Sequence, residues 1–267
     1  DSFGDEWERF DQDRMDDEEG ERIFKSYFSI FPWEKIESGS RGFDMGCGSG
    51  RWAKLVAPHI TGIKLGLEFF LNFGADGVRA VCADHELDQF LDLKLHDIPN
   101  TVAQAPAAVA NLKPRFLPVH ASGGQAMITA AAKELPTTEV TAVTILTSLG
   151  EPDLIEIGYR SNALDSAVGL AKLAISAGAK AIVCSPMEVA AIRGAIGNEP
   201  IIITPGVRPI DPTAPLDDQV RTMTPLAAIE AGASYVVIGR PITRFWSQGE
   251  AAFSANLAQI CEPLLAR

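Results

Sequence analysis

"FLDLKLHDIPNT", residues 90–101, brings Asp92, Lys94 and Asp97 close together in the chain. Side chains alternate along a strand, so Asp92 and Lys94 share one face, and Leu91 and Leu93 share the other. The leucines suit a covering layer of helices. The charged pair points the opposite way, where a charge removed from water must be paired or put to use. Strands buried on both faces read as nearly continuous apolar runs, and charges at the carboxyl end of one suggest the mouth of a (β/α)8 barrel.

The flanking sequence has the matching rhythm. From about residue 41, short apolar runs alternate with helical stretches: "GFDMG" with "RWAKLVAPHI", "GIKLG" with "EFFLNFGADGVRAVCA", and "QFLDLKL" with "TVAQAPAAVANL". "RFLPVHA", "VTAVTILTS", "AKAIVCS", "PIIITPG" and "SYVVIG" continue the series, each followed by helical sequence. Eight units in this length fit an α/β TIM barrel over residues 41–267 better than an open doubly wound sheet. Residues 1–40 form a separate acidic and aromatic N-terminal extension. Within it, residues 1–22 carry eleven acids and three arginines, supplying most of the net charge of −12.

That charge argues against a nucleic-acid partner, since binding a polyphosphate needs basic surface. No run of apolar residues is long enough to span a membrane, and the acidic start does not resemble a secretory leader. Cys47, Cys82, Cys184 and Cys261 are scattered without CxxC or zinc-ligand spacing. Inert thiols in a reducing, cytoplasmic setting follow, with no metal expected.

Two groups of residues carry the chemistry. Lys64, inward-facing in "GIKLG", is expected beside Asp92 and Lys94, with Asp97 on the loop that follows. A buried ion-pair network is the plain structural alternative. The second group lies after the seventh and eighth strands, where barrels commonly hold phosphate through backbone amides. There Gly239 permits close approach and Arg240 supplies a charged fork; an ordinary surface arginine is the alternative.

In this order, "FLDLKLHDIPNT", "VHASGG", "ILTS", "ITPGVRP", "DDQVRTMTP" and "VIGRPIT" resemble the orotidine 5′-phosphate decarboxylase family from about Gly62 to the C-terminus. The resemblance implies cofactor-independent conversion of orotidine 5′-phosphate to uridine 5′-phosphate. It implies a charge network of Lys64, Asp92, Lys94 and Asp97, with Lys94 as proton donor. Asp97, Ile98 and Thr101 would reach into a neighbouring subunit's site, giving a homodimer with shared active sites. Thr147 would lie near the pyrimidine. Arg208, Gln219, Gly239 and Arg240 would hold the phosphate, under a closing loop at 206–221. His96 and His120 match family positions and are assigned packing or hydrogen bonding, with no proton transfer. A related sugar-phosphate decarboxylase of the same barrel group, and a folded but poorly active chimera, are the alternatives.

The N-terminal portion departs from that pattern. "GFDMGCGSGRWAKLVAPHI" resembles the first motif of class I S-adenosylmethionine methyltransferases, over about residues 1–61. The remainder of a methyltransferase sheet is absent, so methyl transfer is not expected. The fragment is expected instead to supply the barrel's first strand–helix unit, making the chain a chimera. On that reading Asp44, at the end of the borrowed strand, replaces the family's ribose-binding aspartate.

Overall fold

The computed structural model describes residues 43–45, 60–82, 87–208 and 223–243, together with 252, 255–256, 259–260 and 264. Eight parallel strands close into a ring: β1 (Phe43–Met45), β2 (Gly62–Gly66), β3 (Asp88–Asp92), β4 (Phe116–His120), β5 (Glu139–Val143), β6 (Ala181–Val183), β7 (Ile201–Thr204) and β8 (Tyr235–Ile238). The helices described between and after them are α1 (Leu67–Cys82), α2 (Pro99–Val109), α3 (Gly124–Glu134), α4 (Glu151–Glu156), α5 (Ala163–Ser176), α6 (Val189–Ile196), α7 (Pro225–Glu230) and α8 (Arg240–Thr243). This closed order of parallel strands is consistent with the expected TIM-barrel fold. Residues 1–40, the predicted helix after β1 and most of the last helix lie outside the described residues.

Strand alternation builds two apolar layers. Phe90, Phe116, Val143, Val183, Ile203 and Val237 fill the barrel interior. Their neighbours Leu91, Leu117, Ile63 and Leu65 turn outward onto Phe69 and Val78 of α1 and Val109 of α2. On the opposite side Ala167, Ala171 and Ala174 let α5 approach the sheet closely beside Ile182 and Ile202. Burying each large side chain is worth about 1.5–3 kcal/mol, so these layers dominate the fold's stability.

Local signals set several element ends. Asn162 caps α5 by accepting a hydrogen bond from Asp165 N at 2.8 Å. Thr224 caps α7 through Ala227 N at 3.2 Å, with Pro225 opening that helix. The amino end of the barrel is closed by Arg115, which pairs with Asp88 and lies over the Phe116 and Tyr235 rings, 5.0 and 5.6 Å from their centroids. Near the same end Arg193 of α6 donates to Gly232 O, Gly197 O and Pro200 O, tying the helix to the loops that enter β7 and β8. Burial pushes the half-buried Cys82 thiol up to about 11, with Gln89 drawing it slightly down, and Cys184 is buried.

β1 closes the ring between β8 and β2. Its register sets Phe43 level with Gly62 and Val237, Asp44 with Ile63 and Ile238, and Met45 with Lys64. Paired residues in a parallel sheet share a face, and Ile63 and Ile238 belong to the layer facing the helices. The expectation that Asp44 replaces the ribose-binding aspartate concerns a side chain outside the described residues.

Candidate active site

β3 ends at Asp92, and the next residues break the ladder. Leu93 N donates back to Leu91 O at 2.9 Å, and Lys94 adopts φ 48°, a left-handed conformation rare for a residue with a side chain. Pairing resumes for one residue at Leu95, whose N donates to Pro118 O at 3.0 Å. Lys94 is thus off the strand, unlike the simple alternation expected for it. It reaches Asp92 from this turn.

The centre of the site is one carboxylate oxygen. Lys64 Nζ donates to Asp92 Oδ2 at 2.5 Å, and Lys94 Nζ donates to the same atom at 2.7 Å. Asp92 is 4% exposed and Lys64 8%, whereas the Lys94 side chain is 32% exposed and turned to the mouth. Burial alone would raise the Asp92 carboxyl; the two ammoniums outweigh it and hold the group below its usual value. The three groups carry a net charge of about +1 at neutral pH, which suits an anionic ligand.

A cavity of about 220 Å³ opens above them. Phe90, Val143, Val183 and Val237 form its apolar floor, Lys64, Asp92 and Lys94 one wall, and Thr147 and Ser148 another. Such a slot takes a flat ring, with charged groups at one edge and few polar groups fixing its orientation.

Lys64, Asp92, Lys94 and Thr147 are therefore brought together as expected. Asp97, Ile98 and Thr101 are not: all three are exposed and none lines the cavity. Asp97 accepts a hydrogen bond from Ile98 N at 2.7 Å and makes no ion pair among the described residues. Gly239 is buried at the carboxyl end of β8, and Arg240 opens α8. Arg208 stands at the root of the loop after β7, its N donating to Met223 O at 2.8 Å. Gln219, the Arg240 side chain and most of the 206–221 loop lie outside the described residues. Among the described residues, no three His, Cys, Asp or Glu side chains converge as a metal site requires.

His120, expected to pack or hydrogen-bond, is placed by β4. It ends β4 on the same face as Phe116, which points into the barrel, and its register partner Val143 also faces inward. The period-two reading of "FLPVH" already contained that placement.

Comparison with known proteins bears on what such a site does. Residues 50–253 match the "Orotidine 5'-phosphate decarboxylase / HUMPS family". The chain belongs to this family. It is 52% identical over 204 residues to an orotidine 5'-phosphate decarboxylase of Thermobifida fusca, covering 76% of this chain and 87% of the relative. A Gluconobacter oxydans protein of the same name is 45% identical over 201 residues, covering 72% and 84%. The crystal structure of orotidine 5'-phosphate decarboxylase from Lactobacillus acidophilus superposes with a TM-score of 0.66 at 32% identity, over 83% of this chain and 99% of that one. The family match begins at residue 50, inside the stretch expected to be methyltransferase-like, so that resemblance cannot be carried through to residue 61.

The Lys94 backbone supplies a test that separates stability from chemistry. A residue with a side chain in the left-handed region costs about 1–2 kcal/mol, and glycine avoids most of this. Lys94→Gly should unfold at higher denaturant than Lys94→Ala, by about 1 kcal/mol. Equal midpoints in paired urea titrations would mean that the turn relaxes to another conformation in the alanine protein.

Proposed function

We propose that this chain decarboxylates orotidine 5′-phosphate to uridine 5′-phosphate without a cofactor, with Lys94 as the proton donor. The observation that carries the reading is Asp92 Oδ2, shared by Lys64 and Lys94 at the mouth of a barrel belonging to this family. The substrate carboxylate would lie against Asp92 and leave as CO₂. The bonding electron pair stays on the pyrimidine carbon, in a plane where the ring offers no π system to absorb it. An ammonium already held beside that carbon stabilises the developing charge and then donates its proton. Lys64 keeps Asp92 ionised, and Asp92 in turn keeps Lys94 in place. Thr147 would address the pyrimidine edge. Arg208, Gln219, Gly239 and Arg240 would hold the phosphate, with the 206–221 loop closing over it.

Asp97, Ile98 and Thr101 serve the neighbouring site of a homodimer on this reading, which their exposure around the β3–α2 turn favours. A cytoplasmic location accords with the scattered cysteines, whose spacing has no CxxC pattern. Residues before 50 are read as a substituted first unit with methyltransferase-like sequence, favoured by the glycine-rich sequence "GCGSG" directly after β1.

Turnover is followed by loss of orotidine 5′-phosphate absorbance and release of CO₂. The parent should be active without added metal, and Lys94→Ala should lose at least about four powers of ten in kcat while staying folded, as removal of a central catalytic group commonly does. Near-parental turnover by that variant would remove Lys94 from the mechanism, and a strict metal requirement would favour the sugar-phosphate branch. Mixed Lys94→Ala and Asp97→Ala chains should regain activity, since one site of each heterodimer carries neither lesion. No recovery after verified subunit exchange would place Asp97 in its own chain's site.

A further inference from the structure

The turn that carries Lys94 and Asp97 is anchored on its downstream side by the end of β4. Leu95 N donates to Pro118 O, and His120 N donates back to Leu95 O, both at 3.0 Å. These two bonds fix residue 95 but leave the side chain of residue 96 to be set by packing. His96 supplies that packing. Its ring lies 5.3 Å from the His120 ring at an angle of 41°, so the two imidazoles form a tilted pair. The segment after β4 is shaped around the same ring: a Cβ on Gly123 would stand 3.1 Å from His96 Cδ2 and 2.2 Å from Met127 Sδ. Glycine at 123 thus makes room for His96 and for the Met127 side chain. One histidine comes from the inner face of the barrel and the other from the loop next to Asp97.

We propose that His120 is a positioning residue for the decarboxylation: its ring, packed on His96, holds the turn that presents Lys94 and Asp97. This rests on the reading that those two residues serve the reaction.

The charges around His120 fit a neutral role. Asp92 and Lys94 face it from the end of β3 and the turn beyond, and His96 faces it from that turn. Val143, its partner on β5, brings no titratable group, nor does the Ala121–Gly124 segment that follows it. Burial lowers the His120 pKa below 6.5, His96 and Lys94 lower it further, and Asp92 opposes them. The neutral ring is therefore favoured in the folded protein. As pH falls through the folded-state value, His120 gains a charge against Lys94 and His96, and the turn loses its support. Activity held by this pair is fully present above that value and lost below it.

The test compares kcat against pH, from about pH 8 down to about pH 5, in the parent, His120→Phe and His96→Phe, with folding checked by circular dichroism. The parent should lose activity on an acid limb below about pH 6.5. His120→Phe keeps a flat ring that cannot charge. It should show a lower plateau, by about threefold to tenfold, and a flattened acid limb. His96→Phe removes a neighbour that depresses the His120 pKa, so its acid limb should move to higher pH. Titration of the substrate phosphate is common to all three proteins and cancels in their ratios. Superimposable profile shapes in parent and both variants overturn the proposal, as does a parent profile flat across the range. Should His120→Phe fail to fold, the direction of the His96→Phe shift decides. A parent that does not turn over orotidine 5′-phosphate at any pH would instead refute the functional reading on which the proposal rests.

Discussion

Asp92 Oδ2 accepts from two ammoniums at once, and the rest of the site is arranged around that atom. Neither lysine could be buried beside the other without it, because like charges a few ångströms apart in a partly dry pocket repel strongly. Nor could the carboxylate be 4% exposed without them. Removing one member of such a group leaves an uncompensated buried charge, at a cost of about 3–5 kcal/mol. The network is therefore coupled: each charge is tolerable only because of the others. Its dependence on three charged side chains, two of them held by adjacent strands, is what ties the chemistry to closure of the barrel.

Geometry at the end of β3 lets this group face the cavity. The strand delivers Asp92 to the inner face and then stops. The left-handed turn at Lys94 brings the second ammonium back over the same oxygen. A continued strand would have carried Lys94 a further 6–7 Å or so along the wall, away from Asp92. Backbone strain at functional positions persists where the surroundings over-determine it. Here the surroundings are the Leu95–Val119 bridge on one side and the ion pair on the other.

Much of this was legible before any coordinates. Apolar runs marked the strands, and alternation put Asp92 and Leu91 on opposite faces and Lys64 beside Asp92, because period two holds within a regular strand. Alternation also placed Lys94 at the mouth, but by the wrong route, since it assumed a strand where the chain turns; φ at one residue leaves no trace in composition. The register of β1 was less legible. In a three-residue strand the two possible registers differ by one position, and hydrophobic patterning is too short to choose between them. His120 was readable from "FLPVH" but not its contact with His96, which depends on the break at Lys94 and on the room left at Gly123.

β1 meets β2 over three residue pairs and β8 over two, and closes the ring between them. The charged group at the mouth is carried by β2, by β3 and by the turn after it. A stave that only closes the ring is constrained by length, apolarity and register, and these are requirements that unrelated sequences meet. Divergence can accumulate there at little catalytic cost. The same separation makes the junction before β2 a natural place to divide the chain, with the first strand supplied as a separate peptide to a body that carries the lysines and the aspartate.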